Sequence, residues 1–321
     1  MRKRKQKMDK TVETDMNKSK INKNEVGENE LDENELEEKE TEDEGFAEKE
    51  EERGGSGIFW NMMLFISLAV FVFSAYQLYS IFAEYKEGTD QYADISNMVV
   101  DKPVEPPVIV EEKEIINEQG EVEKPYTDLP EYAAPEVDFE ELMKVNDDVI
   151  GWIEVEAIPS ISYPIVQADD NDYYLKRTIY KKWNSAGSIF ADYSNDGAFS
   201  DCNTIIYGHN MKNGSMFGLL SNLYEDEKYR ESPYIWICTP NGKYRYEIFS
   251  MQYTHANSST YTFHQTQGDD FLQYLIKMAS VSEVDFKIPY LSGDDRIITL
   301  STCTSDKNTR FVVQARWIAT Y

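Results

Sequence analysis

Residues 296–319 read RIITLSTCTSDKNTRFVVQARWIA. Two apolar, β-branched runs flank the polar TSDKNT, so the stretch predicts two antiparallel strands joined by a short connection. Cys303 then ends the first strand and Arg310 opens the second, which brings a thiol and a guanidinium to one rim of a sheet. An inert cysteine in a sheet and a surface arginine at a strand start have the same local sequence. This stretch alone leaves both readings open.

Working outward, similar runs recur: GWIEVE, SYPIVQ, GSIFAD, NTIIYG, YIWICT and KYRYEIFSMQY, each bounded by Gly, Pro, Asn or Asp. Their composition and spacing predict an antiparallel sheet or barrel, so the fold class is mainly β. Helix-like stretches are few and short: 138–146, 171–177, 216–223 and 269–280. The expectation is a β-barrel with peripheral helices over residues 138–321.

A second site fragment is NTIIYGHNMKNG, in which a strand-like TIIY leads into Gly208 and His209. Glycine there would let the backbone turn close to a ligand, whereas a loop histidine with its ring in water is the bland alternative. His255 and His264 border no such glycine and are not assigned to catalysis. Cys202, Cys238 and Cys303 are too few and too scattered for a disulfide scaffold, and whether the first two are bonded is open. No CxxC or HxxxH spacing offers a metal site, and no cofactor is implied.

The 321 residues carry a net charge of −27, which argues against a nucleic-acid partner. The charge is segmented, with −7 over residues 1–53, −11 over 84–137 and −9 over 138–321. Residues 1–57 read as a disordered charged tail, basic and then acidic. The uncharged run 58–83, IFWNMMLFISLAVFVFSAYQLYSIFA, spans roughly 39 Å as a helix and reads as one transmembrane segment. Lysines and arginines flank its two ends almost equally, so charge alone does not orient it. Residues 84–137, acidic and containing proline, read as an extended spacer after a helical continuation.

A thiol, an imidazole and a guanidinium at strand ends on one rim would make an acyl-transfer site. Cysteine attacks as thiolate, histidine protonates a departing amine, and arginine holds the oxygen that becomes negative. With ordinary pKa values of about 8.5 and 6.5, only a minor fraction of such a pair is thiolate plus imidazolium at neutral pH, so a slow enzyme is expected.

TLSTC (299–303) followed by Arg310, and preceded by IIYGHN (205–210), resembles the sortases, and IVQADDNDYYLKR with SAGSIFADY resembles class B sortases in particular. The similarity covers roughly residues 138–321. It implies an eight-stranded sortase β-barrel and a catalytic trio of His209, Cys303 and Arg310. It also implies peptide-groove roles for Asn171, Leu175, Tyr207, Tyr261 and Ser301. Many class B sequences carry an acidic residue soon after the cysteine, whereas here Thr304 and Ser305 precede Asp306. The resemblance further implies a membrane-anchored, single-pass enzyme, with the tail cytoplasmic and the catalytic domain outside a Gram-positive cell. Its partners would be the C-terminal sorting-signal peptide of a secreted protein, cleaved after Thr, and an amine of a peptidoglycan precursor or a pilin lysine. Two rival readings are a surface cysteine peptidase or amidase acting on wall peptides, and a tethered binding module without activity. The sorting motif, and the choice between wall anchoring and pilus assembly, are not legible in the residues.

Overall fold

The computed structural model describes residues 54–101, 111–112, 115–116, 122–123, 134–263, 266–286, 290–304 and 308–321. The charged tail 1–53, most of the spacer 102–133, His264 and Asp306 lie outside the described residues. Eight strands form the body: β1 (Val149–Val155), β2 (Ile158–Val166), β3 (Ile189–Ala191), β4 (Asn203–Gly208), β5 (Tyr234–Thr239), β6 (Gly242–His255), β7 (Ile297–Cys303) and β8 (Thr309–Thr320). Their spatial order is β6-β5-β1-β2-β3-β4-β7-β8, and β8 pairs back onto β6 to close the barrel. Closure removes the exposed edges that an open sheet would leave.

Each strand forms on one of the β-branched or aromatic runs, but the pairing is not wholly antiparallel. β2 runs parallel to β3, and β4 runs parallel to β7. A parallel pair needs a long crossover, and the excursions 167–188 and 209–296 supply it. β4 is buried at every position except Tyr207, which is half-buried. A strand covered on both faces reads as a continuous apolar run instead of an alternating one.

The interior packs around Trp152, Ile153, Ile165, Ile189, Ile206, Ile237, Leu300 and Val313, all fully buried. Two buried ion pairs bind strands from the side. Arg245 on β6 forks onto Glu156, with Nε–Oε1 at 2.8 Å and Nη2–Oε2 at 3.0 Å, and Arg316 on β8 meets Glu247 on β6 at 2.9 Å. Losing one partner of such a pair strands a buried charge, which makes the pairing register costly to slip.

Three of the helices among the described residues are longer than one turn. α1 (Gly54–Val99) runs unbroken through the uncharged stretch, where every large apolar side chain from Ile58 to Phe82 is exposed. By length and composition it can cross a membrane. It continues to Val99, into the segment read as spacer, because Tyr92, Ile95 and Val99 form a helical stripe that is buried in the barrel's core cluster. Charge begins at Glu84, but the helix does not end there. α2 (Phe139–Val145) is capped by Asp138, which accepts from the Glu141 N–H at 3.0 Å, and it buries Leu142. α3 (Asp269–Ser280) buries Phe271, Tyr274, Leu275 and Met278 at helical spacing.

The two remaining helical expectations shrink. Residues 171–177 hold a single 3-10 turn, Tyr173–Lys176, and 216–223 is mostly turns, with helix only over Asn222–Glu225. Met216 has a positive φ of 55°, and a Cβ at Gly218 would meet the Met211 carbonyl oxygen at 2.4 Å. That segment is folded back too tightly to coil as a helix.

Candidate active site

The parallel register of β4 and β7 sets Gly208 opposite Thr302, and the antiparallel register of β7 and β8 sets Cys303 opposite Arg310. His209 is the first residue beyond β4. The three residues of the predicted trio therefore leave three neighbouring strands at one end of the barrel, on backbones about 4.8 Å apart. Backbone register is what places Cys303.

Gly208 lines the site cavity and meets a further demand besides the one its sequence context suggests. A Cβ there would lie 2.5 Å from Ile189 Cδ1 and 2.6 Å from Phe217 Cδ2. The glycine makes room for core side chains beneath His209, and those side chains set the height of the strand end.

Beside these strand ends opens a cavity of about 270 Å³, lined by His209, Arg310, Ser301, Tyr207, Gly208 and Phe190, and from the 167–188 excursion by Asn171, Asp172 and Leu175. Six of the eight sequence-predicted site residues line it. Tyr261 joins through its hydroxyl, 2.7 Å from Ser301 Oγ. Larger hollows exist: those of about 400 Å³ beside α1 and about 510 Å³ near Asp169 are lined by no histidine, cysteine or arginine, and one of about 460 Å³ near Pro240 holds only Cys238, a thiol that burial pushes up to about 12. Size does not select the site; the functional groups do.

The imidazole Nε2 of His209 lies 2.7 Å from the Leu175 carbonyl oxygen. A carbonyl only accepts, so Nε2 carries a proton in this arrangement, and Nδ1 is the nitrogen whose protonation distinguishes imidazole from imidazolium. Leu175 thus orients the imidazole as well as lining the cavity. Arg310 is half-buried, with Nη1 donating to the Thr309 carbonyl at 3.0 Å.

Behind the cavity wall stands Asp192, buried, a residue that sequence reasoning missed. Its Oδ2 accepts from Tyr207 Oη at 2.9 Å and from Asn171 Nδ2 at 2.8 Å, while the Asn171 side-chain oxygen accepts from the Tyr193 N–H at 3.0 Å. Burial, together with the neighbouring Asp192 carboxylate, pushes the Tyr207 phenol well above its usual range, so it stays protonated and keeps donating. Phe190 was missed as well, and its ring lies 5.3 Å from that of Tyr207. The available signal was alternation: Phe190 and Asp192 are two apart in SIFAD, on one face of a strand.

Tyr261 sits in a short 3-10 turn held from behind by α3. Tyr274 Oη donates to the Thr260 carbonyl at 2.7 Å, accepts from Gln314 Nε2 at 2.9 Å, and Lys277 Nζ reaches Ser259 Oγ at 2.8 Å. His255 ends β6 on the exposed surface, where its Nδ1 accepts from the Asn257 N–H. Cys202 and Cys238 are separate free thiols, both buried. Burial raises the Cys202 thiol and pushes Cys238 up to about 12, so neither is a ready nucleophile at neutral pH. Among the described residues no cluster of His, Cys, Asp and Glu could hold a metal ion.

With this geometry in view, comparisons with known proteins are specific. The model of the Sortase domain matches residues 153–318. Sortase B of Listeria monocytogenes is 38% identical over 186 residues, covering 56% of this chain and 74% of that protein. Sortase B of Staphylococcus aureus is 32% identical over 185 residues with the same coverage. The crystal structure of sortase B from Bacillus anthracis, in complex with AAEK1, superposes with a TM-score of 0.57 at 30% identity, over 74% of this chain and 99% of that one. A closed eight-stranded barrel with few helices, a matching domain model and these relatives lead to one conclusion: the chain belongs to the sortase family of cysteine transpeptidases, and within it to class B.

Proposed function

We propose that Cys303, His209 and Arg310 carry the transpeptidation, acting on the sorting signal of a secreted protein bound in the cavity beside β4, β7 and β8. The observation that carries this reading is the pair of registers, Gly208 with Thr302 and Cys303 with Arg310, beside a cavity lined by both His209 and Arg310. The Cys303 thiolate attacks the carbonyl carbon of the signal's Thr, and the guanidinium of Arg310 steadies the oxygen that takes up negative charge. When the tetrahedral intermediate collapses, the C–N bond breaks and the leaving amine takes a proton from the His209 imidazolium. The thioester conserves the energy of the amide. An incoming amine then attacks the same carbon, gives a proton to His209 and expels the Cys303 thiolate. The amine comes from a peptidoglycan precursor or a pilin lysine.

Asn171, Leu175, Tyr207, Ser301 and Tyr261 hold the peptide. Asp192 acts on it indirectly, through the donors it fixes. The apolar half of α1 anchors the enzyme in the membrane, with the tail cytoplasmic and the barrel outside a Gram-positive cell. The deciding experiment incubates the purified chain with fluorogenic sorting peptides and an amine acceptor. Cleavage with a ligated product is expected, together with a thioester on Cys303 seen by mass spectrometry. Undiminished turnover by Cys303→Ala would sink the assignment. Hydrolysis indifferent to the amine would convert it to a peptidase.

A further inference from the structure

We propose that the turn Lys176–Trp183 rests in the lipid headgroup layer and gives the barrel a second contact with the bilayer that α1 crosses. The proposal rests on the membrane-anchor reading above. Trp183 is 65% exposed, more than any other large apolar side chain among the described residues outside the apolar stretch of α1. It is flanked by exposed Lys182, and Lys176 is also exposed, its carbonyl accepting from the Asn184 N–H at 3.1 Å. Lys181 is engaged elsewhere, with Asp147 and Asp148.

The position of this patch along α1 singles out its partner. Asn184, the residue after Trp183, donates Nδ2 to the Glu84 carbonyl at 3.0 Å, and the Ser185 N–H meets Glu84 Oε1 at 2.6 Å. Glu84 is the first residue beyond the uncharged run that ends at Ala83. Asn184 packs closely enough that a Cβ on Gly88 would lie 3.0 Å from its Oδ1, and Tyr92 Oη donates to the Gly187 carbonyl at 2.7 Å. Four contacts thus tie the 184–187 strip to α1 just past the end of the apolar span. Consecutive Cα atoms are about 3.8 Å apart, and each headgroup layer is about 5–7 Å deep. Trp183 therefore stands at headgroup height. An amphipathic indole prefers that layer, and the exposed Lys176 and Lys182 of the same turn suit phosphate oxygens with their stems against lipid. The exposed acidic residues on this stretch of α1 are Glu87, Asp90 and Asp94, and Asp90 is paired with Lys86.

A barrel tethered by one helix can tilt on the membrane; a second contact fixes its attitude. The 167–188 excursion that carries Trp183 also carries Asn171 and Leu175 of the cavity wall, and Leu175 holds His209. Seating the turn therefore sets how the cavity faces the bilayer surface.

The test uses the full chain, with Cys303→Ala and a Trp183→Cys substitution bearing an environment-sensitive fluorophore, reconstituted in phosphatidylglycerol–phosphatidylcholine vesicles. Cys202 and Cys238 are buried and escape the label. Lipids carrying a nitroxide near the headgroup should quench the probe at 183 about twofold or more, as they quench one at Tyr79→Cys, while a probe at Tyr253→Cys on β6, which makes none of these contacts with α1, keeps its emission. A probe at 183 that stays unquenched while the one at 79 is quenched overturns the proposal and leaves the anchor standing. Equal quenching at 183 and 253 overturns it too, since the barrel would then meet lipid through no particular face. An unquenched probe at 79 removes the anchor and, with it, the second contact.

Discussion

The cavity has two halves built by different physics. On one side His209, Ser301, Cys303 and Arg310 are carried by β4, β7 and β8, where ladder hydrogen bonds and core packing set every position. On the other side Asn171, Leu175 and Tyr261 stand on excursions between strands and are held by a few local hydrogen bonds, among them those to Asp192, Tyr193, His209 and Ser301, with Tyr274 behind the Tyr261 turn. A ladder is redundant, and a few side-chain bonds are less so, which is the physical reason the proposed function sets chemistry on the rigid strand ends and peptide fit on the adjustable walls.

The largest expected effect strikes the strand-end half. Arg310→Ala should lower kcat about 10²–10³-fold, or about 3–4 kcal/mol, the range for losing a charge-stabilising donor at an acyl-transfer site. Arg310→Lys should recover only part of it, because an ammonium lacks the planar fork. Steady-state kinetics on one sorting peptide checks both. A change in KM alone would move Arg310 from the chemistry to the binding wall.

Gly208→Ala comes next. Its Cβ would collide with Ile189 and Phe217, and such overpacking costs about 1–3 kcal/mol. Urea denaturation should register that loss, and kcat should fall with it because His209 is displaced. Full activity at unchanged stability would break the claim that packing under β4 sets the position of the base.

Asp192→Ala probes the hinge between the halves. It leaves the Tyr207 hydroxyl and the Asn171 amide without their shared acceptor, at a cost of about 1–3 kcal/mol. KM should rise more than kcat falls, and Asp192→Asn, which keeps one acceptor, should restore part of the KM. Tyr274→Phe is the mildest. It deletes the donor to Thr260 without opening a cavity, so KM should rise by up to about tenfold at constant kcat. A kcat loss as large as that of Arg310→Ala would collapse the distinction between the halves.

The strand-end half was legible from the residues because each part of it is local. TLSTC, Arg310 and YGH end or begin β-branched runs, and a strand end is recognised from its own neighbours. The wall half was legible only in part. Only family resemblance points to Asn171, Leu175 and Tyr207 as groove residues, whereas nothing in GSIFAD sets Asp192 and Phe190 apart. Nothing near Tyr261 in the chain announces that Tyr274 and Gln314 hold its turn in place. Charge at Glu84 marks where a helix leaves lipid and not where it stops, and how far the expected continuation runs was set by the burial of Tyr92, Ile95 and Val99 against the barrel.

Composition, turn residues at the run ends and apolar length, all short-range properties, point in advance to a series of strands, to one helix able to span a bilayer, and to strand ends at Cys303, His209 and Arg310, while the count of eight came with the family resemblance. Which strands become neighbours was decided only in the folded molecule. β4 and β7 pair in parallel across an excursion of nearly ninety residues, and any sequence preference for that partner is spread over the whole core. Buried hydrogen bonds such as those of Asp192 and Tyr274 follow the same logic. Their partners are distant in the chain, and only closure of the barrel brings donor and acceptor within reach.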